Sequence, residues 1–196
     1  MLFRSIIKWL TDCTISCKNA LGDGTFISHA PQSPYFGPIG DSTTWAGILG
    51  GYTLVDQNVG NLIDFYNIQF YNQGETCYTT YDGLFNKSCS NFPQTSVAQI
   101  SNAGINLNKL VVGKPLLTSD ASNGYVDPTV LGQWFVEAQS NLGWNAGVMT
   151  WQWHNQDISK SWLQAIYPPL NLTPSVNVIH EIYGYRCNKK RLRCRK

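Results

Sequence analysis

The stretch Ile63–Tyr71, with the sequence IDFYNIQFY, decides the fold class of this chain. It is rich in β-branched and aromatic residues, which favour extended backbone, and the polar turn sequence Asn72-Gln73-Gly74 ends it. Apolar side chains stand at both even and odd positions, so both faces of this strand are expected to be covered. Strands of this kind are typical of parallel sheets that lie between helices.

The segments on either side of this strand alternate between strand and helix patterns. Further strands are predicted at Thr25–Ala30, Leu110–Gly113 and Ala146–Trp151. Helices are predicted at residues 2–21, 94–103, 127–140 and 158–167. Residues 41–60 are mixed in character, because glycines interrupt any long pattern there. This order predicts an α/β fold with a parallel sheet.

The composition excludes several classes of protein. Of the 196 residues, 43% are hydrophobic, and aromatic and charged residues are equally frequent at 13% each. Globular domains carry about 25% charged residues, so a chain with so many rings and so few charges is neither disordered nor a coiled coil. No apolar run approaches the ~18 residues of a membrane span. The aromatic excess indicates either a large core or a functional surface lined with rings.

The net charge of +2 hides an uneven distribution. Seven of the 14 basic residues lie within residues 186–196, whereas residues 1–185 carry 7 basic and 12 acidic residues. The body shows no basic stripe interleaved with its aromatic residues, so nucleic acid is not an expected partner. Residues 175–196 are interpreted as an appended, poorly ordered basic tail, and residues 1–174 as the folded domain.

The six cysteines do not have the spacing of a metal site. Their close pairs are separated as C-x3-C, C-x11-C and C-x6-C, without a histidine at zinc-finger spacing, so neither a metal nor a cofactor is predicted. Cys77 and Cys89 flank one loop, which they could close by a disulfide in an oxidising compartment. The first 21 residues have the period of an amphipathic helix, and Lys8 and the lack of a small-residue cleavage site argue against a signal peptide.

Four short motifs lie at the predicted strands. They are SHAPQSPYF at Ser28–Phe36, DFYNIQFYN at Asp64–Asn72, KLVVGKPL at Lys109–Leu116 and GVMTW at Gly147–Trp151. In this order they resemble strands five to eight of glycoside hydrolase family 18, the chitinase family, and the resemblance spans roughly residues 1–170. It implies an incomplete TIM (β/α)8 barrel, formed by the C-terminal half of a catalytic domain.

The resemblance also implies a motif that this sequence does not contain. The family carries D-x-x-D-x-D-x-E on its fourth strand, where the Glu donates the proton, and none of the twelve carboxylates here has that spacing. The chain is expected to start in the helix just after that motif, as an incomplete product of a chitinase gene. We therefore expect no hydrolysis by the isolated chain.

The activity that the resemblance implies is hydrolysis of the β-1,4 N-acetylglucosamine linkages of chitin by a substrate-assisted, retaining mechanism. The implied partners are chitin or N-acetylglucosamine oligomers, without nucleic acid or membrane, and the family is extracellular. The alternative is a non-catalytic, lectin-like protein that binds the same sugars without cutting them.

The resemblance assigns roles to six residues. They are Tyr71, as a supporting catalytic residue, and the substrate-binding residues Gln69, Asn72, Trp151, Gln32 and Tyr35. The Tyr71 hydroxyl would bond the N-acetyl oxygen of the sugar, and the Trp151 ring would form the floor of the pocket. The alternative for each ring is packing in the core.

Other notable residues are interpreted as structural or peripheral. His29 is expected to be a hydrogen-bonded core histidine, and Asp64 a structural residue. The expected core tryptophans, with additional sugar-binding surfaces as the alternative, are Trp45, Trp144 and Trp162. The residues expected to shape the rim of the cleft are Trp153, His154, Asn155 and Asp157.

Overall fold

The computed structural model of the protein describes residues 2–38 and 50–166. Its helices are α1 (Leu2–Leu21), α2 (Gly51–Val59), α3 (Val97–Asn102), α4 (Pro128–Leu142) and α5 (Gln156–Ile166). Its strands are β1 (Ser28–His29), β2 (Phe65–Gln69), β3 (Leu110–Pro115) and β4 (Val148–Trp151). Strands and helices therefore alternate along the chain, as the sequence predicts.

The four strands form one parallel sheet in the order β1-β2-β3-β4. Neighbouring strands in the sheet are also consecutive in the chain, with a helix between each pair, which is the connection that parallel strands need. The sheet is not closed. The prediction of an α/β fold in the form of an incomplete barrel is thus confirmed.

The core lies between one face of the sheet and the helices. Ile68 on β2 is the register partner of Val112 on β3, and both side chains are fully buried in this layer. Trp144 and Trp162 are buried in the same cluster, as predicted. On the opposite face, which we call the open face, the β2 side chains of Phe65, Asn67 and Gln69 are only partly buried.

Helix ends follow from local sequence. The α4 helix begins after Asp127, whose carboxylate accepts hydrogen bonds from Thr129 N and Val130 N, and Pro128 occupies the first turn. It ends at Gly143, which has a φ of 71°. A capping box between Ser96 and Gln99 starts α3 in the same way.

Two elements depart most from the sequence-based prediction. The first strand is predicted over Thr25–Ala30, but β1 contains only Ser28 and His29, because the Asp64 carboxylate takes the hydrogen bond of Ile27 N (2.7 Å). This contact gives Asp64 the structural role expected of it. Helix α2 was not predicted, since Gly50 and Gly51 stand at its start, where Gly50 adopts a φ of 61°.

Some predictions concern residues outside the described ranges. The basic tail 175–196, the domain boundary at residue 174 and Trp45 all lie there. Within the described ranges, none of the helices is both long and apolar enough to cross a membrane.

Candidate functional site

The predicted site residues gather where the parallel strands end. Tyr71 and Asn72 follow β2 directly, and Trp151 is the last residue of β4. The carboxyl ends of parallel strands meet at one edge of a sheet, which we call the carboxyl edge. In barrel enzymes this edge carries the active site.

Register shows which side chains share the open face of the sheet. Gln69 pairs with Gly113, and Gly113 pairs with Met149, so these positions lie on the face opposite to Ile68 and Val112. Trp151, two residues after Met149, lies on this face too and is 49% exposed. An exposed indole on an uncovered sheet face is available to a ligand.

Tyr71 presents a buried phenol at the carboxyl edge. The residue is only 3% exposed, and burial raises the pKa of its hydroxyl to about 12. Among the residues that the structure describes, none forms a hydrogen bond with this hydroxyl. The phenol therefore stays protonated at neutral pH and keeps its O–H free to donate.

A buried lysine fixes the backbone around Tyr71. In its protonated form, the Lys114 Nζ atom donates to the carbonyl oxygens of Phe70 (3.0 Å), Tyr78 (2.7 Å) and Gly124 (3.1 Å). Gly124 has a φ of +94°, and a Cβ atom there would come within 2.6 Å of the Tyr71 Cα atom. The loops after β2 and β3 are thus joined directly behind Tyr71.

Two amide side chains at the carboxyl edge each form one hydrogen bond within the fold. Gln69 Nε2 donates to Ala30 O at 2.6 Å, which ties β2 to the segment after β1. Asn72 has a φ of 64°, and its Oδ1 accepts from Ser122 N at 2.8 Å. Each side chain therefore keeps one amide atom, Gln69 Oε1 and Asn72 Nδ2, for another partner.

Gln32 and Tyr35 lie in different surroundings. Gln32 forms an isolated bridge with Gln69, and its Oε1 is buried without a hydrogen-bond partner. Tyr35 lies beside Tyr52, with ring centroids 6.4 Å apart, and lines an apolar cavity of about 170 Å³ against Ile6 and other residues of α1. The structure therefore brings Gln32 to Gln69 but places Tyr35 against the helices.

Sequence reasoning did not assign a role to Asp120. Its side chain is 4% exposed, and its two oxygens lie 2.8 and 2.9 Å from Nε2 of His154. Burial alone would raise the pKa of this carboxyl, but hydrogen bonds from His154 and Leu117 N outweigh it and lower the pKa. Because the partners are 34 positions apart, no local motif reveals the pair.

Lys114 is the second residue that sequence reasoning missed. A signal for it exists, since a lysine interrupts the otherwise apolar strand LVVGKP. His29, in contrast, has the expected hydrogen-bond partner, with its Nε2 3.1 Å from Thr14 Oγ1, but it is half-buried and lies outside the core in which it was expected. Within residues 2–38 and 50–166 there is no cluster of three or more residues of the kinds that hold a metal ion.

The comparisons with known proteins agree with this architecture. No family model and no curated protein matches the sequence. Among solved structures, a GH18 chitinase from Pseudoalteromonas aurantia is similar with a TM-score of 0.61 and 26% identity, over 81% of this chain and 53% of that one. The chain is similar in fold to part of this GH18 chitinase. It has the chitinase-like glycoside hydrolase fold over about half the length of that structure.

Two further structures show the same fold. A fungal endo-beta-N-acetylglucosaminidase of glycosyl hydrolase family 18 has a TM-score of 0.59 and 24% identity, over 85% of this chain and 52% of that one. A chitinase from Aspergillus fumigatus has a TM-score of 0.57 and 22% identity, over 78% of this chain and 52% of that one. We refer to the described part of this chain as the half-barrel.

Proposed function

We propose that the half-barrel supplies the sugar-binding part of a chitinase-type site and binds N-acetylglucosamine oligomers at its carboxyl edge. The observation that carries this proposal is that the carboxyl edge holds both Tyr71, a buried phenol with a free hydroxyl, and Trp151, an exposed indole on the open face. A donor and an apolar ring are what an N-acetylated pyranose requires, since it offers a carbonyl oxygen and a face of C–H groups.

In the reaction that the fold suggests, the N-acetyl oxygen of the substrate attacks the anomeric carbon. The Tyr71 hydroxyl would donate a hydrogen bond to the N-acetyl group and hold it for this attack. The raised pKa of Tyr71 supports this role, because an ionised phenolate could not donate. Trp151 would stack against the pyranose ring, and Gln69 Oε1 and Asn72 Nδ2 would bond its hydroxyl groups.

Cleavage also needs a carboxylic acid that protonates the leaving oxygen, and such an acid needs a raised pKa. The 196 residues contain no D-x-x-D-x-D-x-E motif. Asp120, the buried carboxylate at the carboxyl edge, has a lowered pKa and is therefore ionised at neutral pH. We therefore propose that the chain on its own binds the sugar without cutting it, as a lectin-like protein would.

The binding proposal is tested with the full chain and chitin oligomers in calorimetric titration. Trp151→Ala should weaken binding about tenfold, the equivalent of about 1.4 kcal/mol, because the stacking surface is lost. Trp9→Ala is a matched control, since Trp9 is 65% exposed on α1 and should bind as the unaltered chain does. Failure of the unaltered chain to bind, or unchanged binding by Trp151→Ala, contradicts the proposal.

A chromogenic chitobioside tests the second part of the proposal. The isolated chain should release no chromophore above the buffer blank. Release that Tyr71→Phe abolishes would show that the chain is a hydrolase and would overturn the lectin-like function.

A further inference from the structure

The segment 151–154, after β4, exposes two large rings on a backbone held at several points. Trp151 is 49% exposed and Trp153 is 63% exposed. The Trp151 carbonyl oxygen accepts from Leu116 N at 2.8 Å, and His154 N donates to Ser159 Oγ at 3.1 Å. Rings on a fixed segment lose little conformational entropy when a ligand binds.

Asp120 connects this segment to the loop after β3. One of its oxygens, Oδ2, accepts from Leu117 N at 2.8 Å, within its own loop. Both of its oxygens lie within 2.9 Å of His154 Nε2, across the gap between the two loops. A carboxylate only accepts hydrogen bonds, so Nε2 of His154 carries the hydrogen. This bond fixes both the orientation and the tautomer of the imidazole ring.

We propose that Asp120 and His154 are positioning residues that hold the Trp151 and Trp153 rings at the carboxyl edge, where Trp153 extends the sugar-binding surface beyond Trp151. The sugar-binding part rests on the proposed function. The positioning part rests on the contacts of Asp120 alone. Loss of the Asp120–His154 bond removes one of the contacts that join segment 151–154 to the β3 loop, and leaves the Leu116–Trp151 bond and the backbone hydrogen bond from Gln152 to Asp120 as the others.

The test follows the indole N–H signals of the full chain in ¹H–¹⁵N spectra. Trp151→Phe and Trp153→Phe assign the two signals of interest. Asp120→Asn and His154→Gln should each shift and broaden both signals. The Trp144 signal is an internal reference, because its Nε1 donates to Leu110 O at 2.8 Å in the core and should not move.

Affinity for chitin oligomers is the second readout. Asp120→Asn should bind about tenfold more weakly, the equivalent of one hydrogen bond to a charged group. Trp153→Ala should also weaken binding, and more so for longer oligomers. Asp127→Asn is the matched control: Asp127 also caps backbone N–H groups, at the start of α4, and this variant should leave both indole signals unchanged.

The outcomes separate the two proposals. Unchanged Trp151 and Trp153 signals in Asp120→Asn and His154→Gln overturn the positioning role. If Asp120→Asn unfolds the whole chain, the Trp144 signal collapses as well, and His154→Gln then provides the test. Shifted Trp151 and Trp153 signals in His154→Gln support the positioning role, and unchanged signals overturn it. Shifted signals together with a complete lack of sugar binding support the positioning role and overturn the proposed function.

Discussion

Lys114 carries its amino group into the interior of the half-barrel. It is fully buried, and its Nζ atom has three carbonyl oxygens as partners. Two of these carbonyls, those of Phe70 and Gly124, flank Tyr71 in space. The residue therefore acts on the candidate site through the backbone, without reaching the open face itself.

Replacing this lysine should destabilise the fold. Lys114→Met removes the donor and leaves three carbonyls without it, which we expect to lower the free energy of unfolding by about 2–4 kcal/mol. Lys109→Met is the matched control, because Lys109 also donates to two carbonyls but is half-buried. Water can replace its amino group, so a loss of about 1 kcal/mol or less is expected. Urea unfolding measures both, and equal losses would contradict the argument.

The same residue predicts a dependence of stability on pH. Burial lowers the pKa of Lys114 to about 7, whereas an unfolded lysine titrates near 10.4. Between these values the unfolded chain holds a proton that the folded chain has lost, so the free energy of unfolding should rise with pH, by at most about 1.4 kcal/mol per pH unit. Lys109→Met should keep this rise and Lys114→Met should lose it. If the free energy of unfolding rises with pH at the same slope in both variants, the rise comes from titratable groups other than Lys114.

The sequence predicts some roles of single residues and not others. Tyr71 and Trp151 stand in motifs, so their place at the carboxyl edge follows from where each strand ends. The contacts of Lys114 with its three carbonyls and of Asp120 with His154 join positions 10 to 44 apart, and only the folded chain brings such partners together. Tyr35 stands in a motif as well, yet the turn Ser33–Phe36 directs it toward α1 and α2.

At the scale of elements, helices are predicted best where their apolar period is long. Helix α1 has the predicted bounds, since twenty residues give more than five turns of the pattern. Helix α2 has only nine residues, and its buried positions Val55 and Val59 are too few to outweigh the glycines at its start. The bounds of β1 depend on a hydrogen bond to Asp64, which is distant in sequence. The sequence around β1 therefore does not reveal where this strand begins.

The connection between β2 and α3 is a long loop that behaves as part of the core. Tyr78, Leu84 and Phe85 within it are fully buried, and a disulfide joins Cys77 to Cys89, as the sequence suggested. The Tyr78 carbonyl is also one of the three acceptors of Lys114. This loop therefore supports the backbone behind Tyr71.

Removing the disulfide should loosen this loop and weaken the fold. Cys77→Ala with Cys89→Ala should lower the free energy of unfolding by about 2–4 kcal/mol, since the bond closes a short loop and limits the unfolded chain. The matched control is Cys13→Ala with Cys17→Ala, because these thiols are exposed on α1. Urea unfolding in the absence of reductant measures the difference. Equal stability of the two double variants would show that the disulfide contributes little.

At the scale of the whole molecule, the half-barrel has two open sides. In the part of the chain that the structure describes, β1 and β4 each pair with a strand on one side only. Open edges present N–H and C=O groups to any other strand, which a closed barrel avoids. Large exposed apolar side chains accompany them, with Phe26 79% exposed just before β1 and Trp153 63% exposed just after β4.

The isolated chain should therefore associate with itself as its concentration rises. Sedimentation velocity should show the mean mass increasing between about 1 and 100 μM, because each open edge can pair with an edge of another copy. Phe26→Lys should reduce this association, since a charged side chain beside β1 opposes edge pairing. Asn102→Lys adds the same charge at the exposed end of α3 and should leave association unchanged. A single monomeric species at every concentration would mean that the two edges are protected within the chain itself.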